Sequence, residues 1–194
     1  VIGASDLVLR ARSNPWTYRV GTSAYDAFGN PLDFAGAVGE LLLATRDVEA
    51  IADGFDRVTV GRPEDGNRAY LGDMMDTGVL KSTGESRVVD ASLKDTWVFH
   101  ADHLVVEGDV QAPENRIEIN AATVDVREKN VHLPEQPADS GLTADTVLIS
   151  AREQMLVGGW IRAVEEVVLE GTATDGTGTL LAKHLDFEPR MEEG

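Results

Sequence analysis

Asp145 and Glu165 are the two carboxylates whose spacing could do chemistry. Each is the second residue of a recurring six-residue pattern, one repeat apart. Like-charged carboxylates brought together raise one another's proton affinity or share a calcium ion. The pair is therefore a weak candidate for a metal site with Ca2+ as the ion, against the plainer reading of two solvated acids at the start of neighbouring strands. Asp125 and Asp186 share another position of the pattern, three repeats apart, so about 14 Å separates them at the spacing of stacked strands. That exceeds the ~5–9.5 Å window of paired glycosidase acids. The histidines are His100, His103, His132 and His184. On a continuous strand the His-x-x-His at 100 and 103 would point its rings to opposite faces. His103 and His184 would stand about 19 Å apart, and all four read as solvated. Without cysteine there is no disulfide, thiolate zinc site or cysteine nucleophile. No Gly-x-Ser-x-Gly, P-loop or dinucleotide fingerprint occurs. Trp97 and Trp160 each stand four residues before a copy of the pattern and read as core or corner residues, not sugar platforms. No catalytic or cofactor-binding residue is assigned.

The elements that would position these groups come from that pattern. Within 194 residues it reads Ala-Asp-His-Leu-Val-Val from Ala101, Ala-Ala-Thr-Val-Asp-Val from Ala121 and Ala-Asp-Thr-Val-Leu-Ile from Ala144. It returns from Val164 and Ala182, and earlier copies start at Ala4, Val38 and Phe55. The fourth position is always aliphatic and the sixth always apolar, while the third is always polar. Two apolar residues separated by one tolerant position is the period of a strand with one buried face. Trp97-Val98-Phe99 and Ile117-Glu118-Ile119 suggest a second strand before the pattern, and Val110 a third after it.

A unit of about 20 residues holding two or three short strands predicts an all-β chain, a parallel β-helix whose coils bury their cores only by stacking. The alternative is an antiparallel β-sandwich, which also spaces strands closely. One segment, 1–194, is expected. Residues 11–34, 61–78 and 133–141 read as inserted loops, rich in turn residues such as Arg62-Pro63-Glu64-Asp65-Gly66-Asn67. Residues 35–53 admit two readings, a short helix or a strand at Leu41–Leu43 followed by a loop. The strand is preferred.

Composition excludes several roles. With 34 acidic against 17 basic residues the formal net charge is −17, the wrong sign for a duplex nucleic-acid binder or a polybasic membrane surface. No apolar stretch reaches the ~18 residues of a membrane span. Apolar patterning begins at Leu7 and continues to Phe187, with no evident capping element, which predicts a segment of a longer repeat protein.

The stacked Ala-x-x-Val-x-Val units, with Gly54-Phe55-Asp56-Arg57-Val58-Thr59-Val60-Gly61-Arg62 and a following Asp-Gly turn, resemble very large bacterial surface proteins of the filamentous-haemagglutinin-like and LEPR-XLL-type repeat kinds. The resemblance implies a secreted or cell-surface location and a structural or adhesive role without catalysis. Its expected partners are neighbouring coils of the same protein, another surface protein or a glycan. Two alternatives remain open, a carbohydrate-active β-helix enzyme (polysaccharide lyase or glycoside hydrolase) and a scaffold that binds a protein by strand addition at an exposed end.

Overall fold

The computed structural model describes residues 5–10, 17–22, 39–51, 54–63, 66–72, 91–127, 140–173, 179–181 and 184–188. The strands are β1 (Leu7–Leu9), β2 (Thr17–Thr22), β3 (Glu40–Ala44), β4 (Val58–Gly61), β5 (Arg68–Leu71) and β6 (Ala91–Ser92), followed by β7 (Trp97–Val106), β8 (Asp109–Val126), β9 (Gly141–Val157), β10 (Trp160–Ala173), β11 (Thr179–Leu181) and β12 (His184–Glu188). One short helix, α1 (Thr45–Ala50), follows β3. The fold is all-β, and the twelve strands among the described residues join in one sheet. Every strand pair is parallel, which rules out the antiparallel sandwich among the described residues.

The long strands pair in separate runs, and these runs form three ladders. The first joins β1, β4, 97–101, 116–121, 146–151, 166–171 and β12. The second joins β3, β2, β5, 103–106, 123–126 and 154–157. The third joins β6, 109–112, 141–144, 160–163 and β11. From β7 to β10 the chain visits first, second and third ladder in that order and then returns to the first.

Alternation decides what is inside. On the first ladder Val58, Trp97, Ile117, Val147 and Val167 share one register and Val60, Phe99, Ile119, Ile149 and Leu169 another, and all are buried. On the second, Tyr18, Ala69, Leu104, Val124 and Met155 are in register and buried, the small Ala69 lying beside the large Tyr18. Small residues mark the bends. Ala112, Ala144 and Ala163 align where third ladder passes to first, and Ala101, Ala121, Ala151 and Gly171 align where first passes to second.

Several expectations need correction. The six-residue pattern does not mark one ladder: the copies from Ala101 and Ala121 lie on the second, those from Ala144, Val164 and Ala182 on the first. Both bends present an alanine followed by an identically alternating strand, so their sequences look alike. Residues 17–22 and 68–71 are strands of the second ladder rather than inserted loop, because Tyr18, Val20, Ala69 and Leu71 supply its buried alternation. The loop expected at 133–141 lies outside the described residues except for Ser140 and Gly141, and Gly141 opens β9. Within 35–53 the strand is present as β3, but α1 follows it instead of a loop. Val48 buries against the core, and Asp47 accepts the Ala44 N–H at 3.0 Å at the helix start.

Candidate functional site

The outer side of the first ladder holds a depression of about 220 Å³ across β8, β9 and β10. Its floor is Leu148 and Val168, paired in register and flanked by Glu118 in the same row. One side is the neighbouring row, Asn120, Ser150 and Glu170. These side chains point outward because their strand neighbours Ile117, Ile119, Val147, Ile149, Val167 and Leu169 fill the core. The Glu118 carboxylate is fixed from both sides, by Arg116 Nη2 at 3.2 Å and by Asn120 Nδ2, which donates at 3.0 Å. Glu118 and Glu170 lie two strands apart, roughly 10 Å along the stack, so their backbones do not place the carboxylates side by side. The depression can offer an apolar floor and oriented hydrogen-bonding groups.

His100 borders the row, paired between Gly61 and Asn120. Its Nδ1 is buried, with no hydrogen-bond partner among the described residues. Burial lowers its pKa below the ordinary 6.5, with Arg57 adding to this and Glu118 opposing it. His103 lies beyond the Ala101 bend on the second ladder, exposed, with Nδ1 2.5 Å from Thr123 Oγ1 and Nε2 3.5 Å from Asp102. The two rings do not take opposite faces, because the bend between them breaks the simple alternation.

The outer side of the second ladder is clipped by cross-strand pairs. Arg19 lies 4.5 Å over the Tyr70 ring and 3.7 Å from Glu40, and Arg152 reaches Asp102 at 3.6 Å. Arg127 joins the ends of two neighbouring strands of this ladder, donating from Nη1 to Glu107 at 2.7 Å and from Nε to Asp125 at 2.9 Å. Its pKa is raised, chiefly by the hydrogen bond to Asp125 and then by the charges of Asp125 and Glu107. Glu107 is buried, as are Asp95 and Asp109, so among the described residues three carboxylates sit inside, near bends.

The remaining candidates distribute as follows. Asp145 and Glu165 do lie across from one another on β9 and β10, where a one-residue bulge falls between the Ala144–Ala163 and Thr146–Glu166 pairs. Asp145 is half-buried and Glu165 exposed, and no group of three or more histidine or carboxylate side chains able to hold a metal forms among the described residues. Asp125 and Asp186 are not in one row, since Asp125 belongs to the second ladder and Asp186 to the first. His103 and His184 are split in the same way, and His132 lies outside the described residues. Trp97 is core, stacked on Phe99 with ring centroids 5.8 Å apart. Trp160 is not core. It faces outward on the third ladder, half-buried, with the Arg162 guanidinium 3.7 Å over its ring. Sequence reasoning missed the depression because Leu148 and Val168 occupy the tolerant position of the pattern, where aliphatic residues carry no functional signal. Among the described residues no helix is long and apolar enough to cross a membrane. No protein-family model, curated protein or solved structure matches the chain.

Proposed function

We propose that this chain is a stretch of three-sided parallel β-helix, with coils of about 20 residues, that serves as a structural or adhesive rod in a large exported bacterial surface protein of the filamentous-haemagglutinin-like or LEPR-XLL-type repeat kind. One observation carries the reading: from β7 to β10 the ladders recur in the same order, with buried rows continuous from turn to turn. A core of this kind exists only as an array, and a stiff array suits a role of reach and display. The cross-strand ion pairs outside hold neighbouring turns together, which fits a scaffold better than a reaction centre. The partners are neighbouring coils, a second surface protein or a glycan.

Antibodies against the chain, applied to intact cells of its source, test location and should label them; labelling only after permeabilisation overturns the surface role. The second reading, a carbohydrate-active β-helix enzyme, draws on Glu118 and Glu170 lining one depression. Incubation with a panel of neutral and acidic polysaccharides should release no oligosaccharide, and any product would replace the rod reading with the enzymatic one.

A further inference from the structure

We propose that the depression over Leu148 and Val168 binds one neutral pyranose unit of a glycan chain. The inference gives the adhesive role above a ligand class and rests on that reading. Four observations lead to it. First, a space of about 220 Å³ accommodates a single sugar ring and little more. Second, its lining has the two-sided chemistry of a pyranose. The aliphatic floor suits the C–H face of the ring, and Glu118, Asn120, Ser150 and Glu170 reach the hydroxyls around its edge. Third, Glu118 is already oriented by Arg116 and Asn120. A carboxylate has about four acceptor positions, so two remain for sugar hydroxyls, and a group held in place beforehand loses little freedom on binding.

Fourth, the surroundings disfavour other occupants. The one cation in the lining, Arg116, already pairs with Glu118, and a uronate or sulfated sugar would meet both Glu118 and Glu170 in a chain of net charge −17. A divalent cation finds no cluster of three ligating side chains among the described residues. A peptide cannot add as a strand here, because β9 is hydrogen-bonded along both edges, to β8 and to β10. Recognition must therefore run through outward side chains, which favours a compact polyhydroxylated ring. A site for one unit binds weakly, with a Kd in the millimolar range. Repetition along a rod would raise the strength of attachment by avidity.

The test is a methyl-resolved NMR titration of the intact chain with three separate probes: neutral gluco- and galacto-oligosaccharides, oligouronates, and calcium chloride. Neutral oligosaccharides should shift the Leu148 and Val168 methyls saturably, while oligouronates and calcium leave them in place. Glu118→Gln should weaken that binding about five-fold or more, and Val168→Lys should abolish it by placing a charged stem across the floor. Both residues face outward, and an unchanged amide spectrum and melting temperature identify folded variants; Leu148→Ala is the substitute should either misfold. The proposal is overturned if no neutral sugar moves these methyls at tens of millimolar, if oligouronate binds as well, or if Val168→Lys still binds. Each of these outcomes leaves the rod reading to its own tests, surface labelling and polysaccharide cleavage.

Discussion

Gly72 and Gly108 lie backbone against backbone where the second ladder gives way to the third. A Cβ built on Gly72 would stand 2.6 Å from the Gly108 nitrogen and closer still to its Cα. The N–H groups of Glu107 and Gly108 both donate to the Leu71 carbonyl, at 2.8 and 3.2 Å, which holds the two turns this close. Gly72 also has φ +78°, a conformation that disfavours any side chain. Gly72→Ala should cost about 2–4 kcal/mol in chemical denaturation, through backbone strain and the forced separation of turns. Gly66→Ala is the control. Its φ is +59°, but among the described residues no atom beyond its chain neighbours lies within 4 Å of the added Cβ, so it should cost only about 1 kcal/mol.

Ile149 sits between Ile119 and Leu169 in a continuous buried row. Ile149→Ala should destabilise by about 2–5 kcal/mol, the range for truncating a large aliphatic residue in a core that cannot fully collapse. Val8→Ala, at a position 49% exposed, should change stability by less than about 0.5 kcal/mol. Urea unfolding followed by circular dichroism separates the two.

Arg127 reaches both a buried carboxylate and a half-buried one. Arg127→Ala removes the charged hydrogen bond to Glu107, whose side chain is 9% exposed, and should destabilise by about 1–3 kcal/mol. Asp125→Ala removes the more open partner, 34% exposed, and should cost about 1 kcal/mol or less. Equal losses in thermal melts of the two variants would contradict this ordering.

His100 makes stability depend on pH. Its folded pKa lies below 6.5, chiefly through burial, so between the two values the unfolded chain binds more protons than the folded one. Its contribution is complete above pH 6.5 and is lost as the pH falls through the folded value. His100→Asn should therefore flatten the decline in melting temperature between pH ~8 and pH ~5 relative to the unaltered chain. A parallel decline in both would show that the carboxylates alone set the slope.

Strand-forming alternation was readable position by position in the sequence. Val58 and Val60, Leu104 and Val106, Val124 and Val126, Val147 and Ile149, and Val167 and Leu169 all point inward as the pattern requires. Which ladder each belongs to was not readable. Ala101-Asp102-His103-Leu104 and Ala144-Asp145-Thr146-Val147 are nearly the same string, yet they turn different bends. Only the short strands between copies, such as Trp97-Val98-Phe99, separate the two cases. The same ambiguity misplaced Asp125 relative to Asp186 and His103 relative to His184. Of the two readings for Trp160 the core one fails, because its resemblance to Trp97 is one of sequence offset, whereas Trp97 opens an inward row and Trp160 stands outside Ile161. β2 and β5 were hidden by turn-rich flanks, which report on connections and say nothing of a strand of four to six residues between them.

β3 pairs with the edge of β2 that faces away from β5. Both edges of β2 are therefore closed by segments that leave the ribosome after it does. Synthesis cannot finish this part of the second ladder strand by strand as the chain emerges, since β2 must wait first for β3 and then for β5. The stretch from β7 to β10 carries no such delay, because each strand there docks on the one made just before it. Folding should therefore nucleate in this middle stretch, with β2 and β3 consolidated late, a sequence that pulsed hydrogen exchange would record as delayed protection of Tyr18 and Val20 relative to Ile119 and Ile149.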